Sequence, residues 1–143
     1  MEVLAYTRTK GKFQPEGFSV EETGSLEELL GRADYVVLSL PLNEETRGII
    51  GAGELGLMKP TAFLINVSRG SHIVTDALVA ALQNGEIAGA GLDVIEPDPL
   101  PGDHPILELD NVAISPHCAA QTQSTQDQSY RLLAESIRLA VEG

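Results

Sequence analysis

Short apolar runs alternate with amphipathic stretches along this chain. EVLAY (2–6) reads as a short strand, and GFSVEE (17–22) as a second extended piece. SLEELLG (25–31) has the marks of a helix. Ser25, with Glu28 three residues on, forms a capping box; Leu26, Leu29 and Leu30 are its apolar positions, and Gly31 is the expected stop. YVVLSLP (35–41) is a continuous apolar run ended by Pro41, which predicts a strand buried on both faces.

The alternation then repeats. AFLINVS (62–68) predicts a strand. TDALVAALQNG (75–85) predicts a helix capped by Thr75, with Leu78, Ala81 and Leu82 on one face and Asn84-Gly85 closing it. IAGAGLDV (87–94) is a glycine-rich strand, EPDPLPGDHP (96–105) a proline-rich loop, and NVAIS (111–115) the last strand. From Ser124 a helix runs to Val141, with Tyr130, Leu133, Ile137 and Val141 on one face. Strands alternating with helices predict an α/β doubly wound parallel sheet.

Composition narrows the picture. The 143 residues set a prior of one domain, and 43% hydrophobic content is enough for a core. Aromatic residues are only 4% and Trp is absent, so aliphatic side chains must fill that core. A net charge of -12 disfavours nucleic acid as a partner, because phosphate binding needs clustered Lys and Arg. No apolar run approaches the roughly 20 residues of a membrane span, and no signal peptide is visible. The single Cys118 excludes an internal disulfide and a cysteine-rich metal site. No metal is expected, and the expected location is the cytoplasm.

One motif invites a functional reading and fails its context. GAGELG (51–56) matches G-x-G-x-x-G, the dinucleotide fingerprint. That fingerprint follows a strand directly and opens a helix whose N-terminus faces the pyrophosphate. Here a mostly polar stretch, LNEETRGII, precedes it, and Pro60 leaves space for a turn or two of helix. Asp76 lies twenty positions past Gly56, but in the first turn of a predicted helix rather than at a strand end. Turn and cap roles account for these glycines. GAGLD (89–93) lies within a strand and lacks the third glycine.

Three long segments carry a family resemblance: LPLNEETRGIIGAGELGLMKPTAFLINVSRG (40–70), GAGLDVIEPDPLP (89–101) and HPILELDNVAISPH (104–117). In this order and spacing the chain resembles the D-isomer-specific 2-hydroxyacid dehydrogenases, which include glyoxylate/hydroxypyruvate reductases and phosphoglycerate dehydrogenases. The resemblance implies a Rossmann-like sheet in which residues 1–120 are part of an NAD(P)-binding domain. Residues 121–143 would be a C-terminal helix returning toward a substrate domain that this chain lacks. The family's own glycine-rich loop lies just before the strand resembling EVLAYTR, so the first strand and that loop are expected to be missing. In the order 3-2-1-4-5-6 that strand is central. Its neighbours then need other partners, unless they close the gap by pairing directly.

Hydride transfer at a 2-keto carbon needs a proton donor, an anchor for the carboxylate and a nicotinamide held at short range. His117, after a strand end in SPH, is the candidate acid/base. Arg69, after a strand end in NVSRG, can grip a carboxylate through two hydrogen bonds. The resemblance implies an acid supporting His117 five residues after Asp93; that is Asp98, where the family usually has Glu, with Glu96 in reserve. By the same resemblance Asp93 contacts the nicotinamide amide, Pro41, Val67, Ser68 and Arg69 line the cofactor, and Ala119 and Ala120 lie near the nicotinamide beside His117. Cys118 is expected to be a buried spectator, and His72 and His104 to be surface or loop residues.

An NAD enzyme places an acid at the end of the first of these strands. This chain has Thr7 there, followed by Arg8 and Lys10, which favours NADP(H) over NAD(H). The expected function is therefore that of an oxidoreductase fragment acting on a small 2-keto or 2-hydroxy acid, with a homodimer for the full-length protein. The isolated chain is expected to be inactive. The alternatives are a catalytically inactive nucleotide-binding or interaction module, and a nonfunctional truncated product.

Overall fold

The first two extended pieces pair with each other. In the computed structural model, which describes residues 1–9, 11 and 16–142, β1 (Leu4–Ala5) and β2 (Glu21–Glu22) lie parallel, Leu4 opposite Glu21 and Ala5 opposite Glu22. The chain continues through α1 (Leu26–Arg32), β3 (Tyr35–Leu38), α2 (Ala52–Leu57), β4 (Phe63–Asn66), α3 (Thr75–Asn84), β5 (Gly89–Leu92), β6 (Val112–Ile114) and α4 (Gln123–Glu142). Strands β3-β4-β5-β6 form a second sheet in that order, every pair parallel. This is the α/β parallel architecture expected from the alternating pattern.

Helices α1, α2 and α3 pack in series on one face of the larger sheet. Val36, Leu38, Leu64, Ala90 and Leu92 point into the core beneath them, with Leu30, Leu55, Leu78 and Leu82 facing back. The other face is open, and here the reading of residues 35–41 needs correction. Only alternate residues of β3 are buried: Tyr35 is 67% and Val37 58% exposed. Tyr35 stacks on Phe63 of β4, ring centroids 5.7 Å apart, on this uncovered face.

The local signals of the helices hold with small shifts. Ser25 caps α1 by accepting from the Glu28 N–H (3.2 Å), but the Glu28 carboxylate accepts from Gly24 N–H, one residue upstream of the reciprocal partner a capping box requires. Gly31 does not stop the helix, which extends to Arg32 and closes when the Ala33 N–H donates to the Leu29 carbonyl. Thr75 is the first residue of α3 rather than its cap; its hydroxyl donates to the Glu96 carbonyl instead, and Val74 is the N-cap. Gly85 closes α3 at φ 68°, a left-handed conformation in which a side chain costs energy.

The stripe Tyr130, Leu133, Ile137 and Val141 falls on one side of α4, yet each is at least 56% exposed. The period is right, and nothing among the described residues packs on it. Strands β1 and β3 do not pair; Met1–Leu4 and Asp34–Val37 line a groove between the two sheets. The gap is left open rather than closed by direct pairing. No helix among the described residues is long and apolar enough to cross a membrane.

Candidate active site

Four parallel neighbours end on one edge of the sheet, so the loops after β3, β4, β5 and β6 meet there. The loop after β4 carries Arg69 and is braced from within. Asn66, fully buried, donates from Nδ2 to the Arg69 carbonyl (2.9 Å) and accepts at Oδ1 from the Ser68 N–H (3.1 Å). Ser68 Oγ donates to the Leu40 carbonyl (2.6 Å), tying this turn to the loop after β3. A Cβ on Gly70 would stand 2.4 Å from the Ile95 carbonyl carbon, so only glycine lets the two loops approach so closely. The Arg69 guanidinium donates to the Ser68 carbonyl (2.7 Å) and stays largely exposed.

The loop after β6 is anchored by Asp93. Its Oδ1 accepts from Ser115 Oγ (2.6 Å) and the Cys118 N–H (2.8 Å), and Oδ2 from the Ala119 N–H (2.9 Å). These bonds curl residues 115–119 around His117, which adopts φ 53°, rare for a residue with a side chain. The Ser115 hydroxyl, then the Ala119 and Cys118 N–H groups and the nearby His117, hold the Asp93 carboxyl below the usual carboxylate range, against the opposing effect of burial.

Two adjoining clefts open on this edge, sharing Leu42 and Arg69. The first is lined by Pro41, Val67, Ser68 and Arg69 with Ser39 and Leu40. The second, about 390 Å³, is lined by Arg69, Asp98 and His117 together with Ser71 and Glu96. The three residues singled out for chemistry thus face one space. They are not bonded to one another: no hydrogen bond or ion pair links His117 to Asp98 or to Arg69. Glu96 is engaged by the Ser71 hydroxyl, which leaves Asp98 as the carboxylate of the cleft without a bond among the described residues.

Other expectations meet mixed outcomes. Asp93, expected at the nicotinamide amide, is committed through both oxygens to the 115–119 loop. Ala119 and Ala120 are exposed beside His117. Cys118 is exposed rather than buried, because only its N–H is drawn inward. His72 is fully buried, not a surface residue. His104 does act locally, accepting from the Ile106 N–H (3.2 Å) to cap a short 3₁₀ turn, Pro105–Glu108. Thr7 and Arg8 lie on the loop after β1, away from both clefts, with Thr7 Oγ1 donating to the Thr9 carbonyl; Lys10 lies outside the described residues.

Several site residues escaped the sequence reading. Ser71, Leu42 and Glu22 carry no motif of their own, and only the register of β2 beside β1 brings the Glu22 carboxylate onto the Gly11 N–H (2.7 Å). A carboxylate therefore does approach the loop after β1, supplied by the neighbouring strand. Among the described residues no cluster of three or more His, Cys, Asp or Glu side chains could hold a metal.

A parallel sheet with loops converging past its strand ends is the Rossmann-like α/β class of fold, in which ligands bind at the carboxyl edge. More narrowly, the family model "D-isomer specific 2-hydroxyacid dehydrogenase, NAD binding domain" matches residues 1–119, and the chain belongs to this family. A glyoxylate reductase of Korarchaeum cryptofilum is 42% identical over 96% of this chain and 41% of its own length. The NAD-complexed D-isomer specific 2-hydroxyacid dehydrogenase of Lactobacillus delbrueckii ssp. bulgaricus superposes with a TM-score of 0.85 at 34% identity, covering 99% of this chain and 47% of that one. The NADPH-dependent glyoxylate/hydroxypyruvate reductase of Sinorhizobium meliloti, in complex with NADP and malonate, gives 0.76 at 35% identity, over 87% and 37%. The chain spans about two fifths of the length of the curated relatives it matches.

Proposed function

We propose that this chain is the nucleotide-side portion of an NAD(P)H-dependent reductase of small 2-keto acids such as glyoxylate or hydroxypyruvate. The observation that carries the reading is the convergence of Arg69, Asp98 and His117 on one cleft past the strand ends. Bound NAD(P)H would supply the hydride. The first cleft suits such a group, being an open polar trough reached by the loops after β3 and β4. Pro41, Val67 and Ser68 would line it, with Asp93, Ala119 and Ala120 toward the nicotinamide.

Arg69 holds the substrate carboxylate and polarises the adjacent carbonyl through charge-assisted hydrogen bonds. His117 delivers a proton to the carbonyl oxygen. Asp98 supports the charged imidazole once substrate draws the two together; such bonds are often long before substrate is bound. Arg8 and Lys10 favour NADP(H), while Glu22 beside the same loop works against a 2′-phosphate. Residues 1–120 form the nucleotide-side unit, and residues 121–143 return toward a substrate domain. The full-length protein is a homodimer on this reading, since the open sheet face with Tyr35, Val37 and Phe63 leaves apolar surface to cover; the expected location stays the cytoplasm.

The absent His117–Asp98 bond favours one second reading, a nucleotide-binding module without catalysis. NADPH oxidation with glyoxylate separates the two, using the protein that carries this chain together with its substrate domain. Arg69→Ala and His117→Ala each lower kcat/KM by about 10²–10⁴-fold if the catalytic reading is right. Unchanged turnover in both variants would sink it. The 143-residue chain alone is expected to be inactive.

A further inference from the structure

His72 is fully buried, four residues from Ser68, and its imidazole belongs to neither cleft. Its Nδ1 lies 3.2 Å from Ser68 Oγ, and its Nε2 is buried without a hydrogen-bond partner among the described residues. Counting protons fixes the arrangement. Ser68 has one hydroxyl hydrogen, and it goes to the Leu40 carbonyl at 2.6 Å. The Ser68 oxygen therefore can only accept from the ring, which requires the hydrogen of His72 on Nδ1. The opposite tautomer would set two lone pairs face to face and bury an N–H with nothing to receive it.

We propose that His72 is a positioning residue of the first cleft. It donates from Nδ1 to Ser68 and so locks the Ser68 hydroxyl onto the main chain of Leu40, which both gives its carbonyl to that hydroxyl and donates its N–H to Ser68 Oγ (3.4 Å). Leu40 precedes Pro41, and both line the trough in which we place the cofactor; the inference rests on that reading for its functional meaning, not for its geometry. Ser68 itself, expected from the family resemblance to face the cofactor, is 8% exposed and has its hydroxyl committed to this relay.

Two measurements on the 143-residue chain test this without any nucleotide, so they stand apart from the proposed activity. Long-range ¹H–¹⁵N correlation spectra of the unaltered chain are expected to show a protonated, pyrrole-type Nδ1 and a bare Nε2 at His72; a protonated Nε2 overturns the proposal. Amide hydrogen exchange then follows three variants. His72→Phe keeps a flat ring but removes the donor, and Ser68→Ala removes the node. Both are expected to speed exchange at the Leu40 N–H about tenfold, the scale of one net hydrogen bond, with Leu64 and Ala90 unchanged. His72→Asn, whose amide can donate from the Nδ1 position, is expected to restore Leu40 to within about threefold of the parent. If Leu40 is unaffected by His72→Phe, if Leu64 and Ala90 accelerate equally, or if Asn fails to rescue, His72 is structural filling and not a positioning residue.

Discussion

The two sheets are built from the same kind of parallel pairing and held in opposite ways. The four-stranded sheet β3–β6 lies under α1–α3 and buries Leu64, Leu30, Leu55 and Leu78 almost completely. The ribbon β1–β2 has two residues per strand and contributes none of the fully buried apolar side chains. What fastens it is polar. Arg32, the last residue of α1, reaches Glu21 of β2 (2.6 Å), Glu2 just before β1 (3.1 Å) and Glu28 of its own helix (3.0 Å). Apolar burial is not screened by salt, and exposed ion pairs are. One region should respond to packing mutations and the other to ionic strength.

The strongest attack on this contrast is a matched pair of truncations. Leu64→Ala removes a fully buried side chain at the centre of the larger sheet and is expected to cost about 2–5 kcal/mol in urea unfolding. Leu4→Ala in the half-buried β1 should cost on the order of 1 kcal/mol or less. Equal costs would mean that the ribbon belongs to the same cooperative core.

A smaller effect is expected at the junction of core and site. Asn66 is buried at the end of β4 and bonds both sides of the turn carrying Arg69. Asn66→Ala leaves the Ser68 N–H and the Arg69 carbonyl without their partner, a loss of about 1–3 kcal/mol. Because the damage lies at the strand end, exchange at Ser68 should accelerate before that at Leu64. Simultaneous acceleration would show that the turn has no independent stability.

Acid tests the other site loop. The folded Asp93 carboxyl sits below its ordinary value, so its contribution is fully present above the unfolded value, about 3.9, and is lost as pH falls through the lower folded value. Protection of the Cys118 and Ala119 amides should therefore hold at pH 5 and decay below about pH 4. Asp93→Asn should weaken this protection at pH 5 and above, converge with the parent at low pH, and so flatten the acid dependence. A profile that falls near neutral pH instead would assign the loop to another group.

How much of this was legible depends on what each feature needs. Gly85, the short α2 and the alternation of strands and helices follow from local chemistry, and each was readable from neighbours in sequence. The arrangement of Arg69, Asp98 and His117 needed only the rule that parallel strands share a carboxyl edge, plus motifs long enough to name a family. Burial was harder. A run such as YVVL has the same letters whether one or both sheet faces are covered, and the open face here depends on where α1–α3 lie. His72 and Glu22 illustrate the same limit. Their partners stand 4 and 11 residues away, placed by a loop brace in one case and by β1–β2 register in the other. No local pattern marks either.

The mildest prediction returns to the ribbon. The Arg32 guanidinium is held in its charged form chiefly by its hydrogen bonds to Glu21, with Glu28 and Glu2 adding to this, and in return Arg32 holds the Glu21 carboxyl below its usual range. All four side chains are well exposed, so the cluster is weak and open to screening. Raising salt to 1 M shortens the screening length to about 3 Å, comparable to these contacts. Exchange at the Glu21 and Thr23 amides, which donate to the Val3 and Ala5 carbonyls, should then quicken modestly while Ala90 in β5 does not change. Arg32→Met keeps the apolar stem and removes the charge; at low salt it should quicken exchange at least to the high-salt rate, and added salt, which now screens only the repulsion among Glu2, Glu21 and Glu28, should no longer quicken it. If salt leaves Glu21 and Thr23 untouched while Leu4→Ala releases them, the ribbon is held by packing after all, and the two sheets differ in extent rather than in kind.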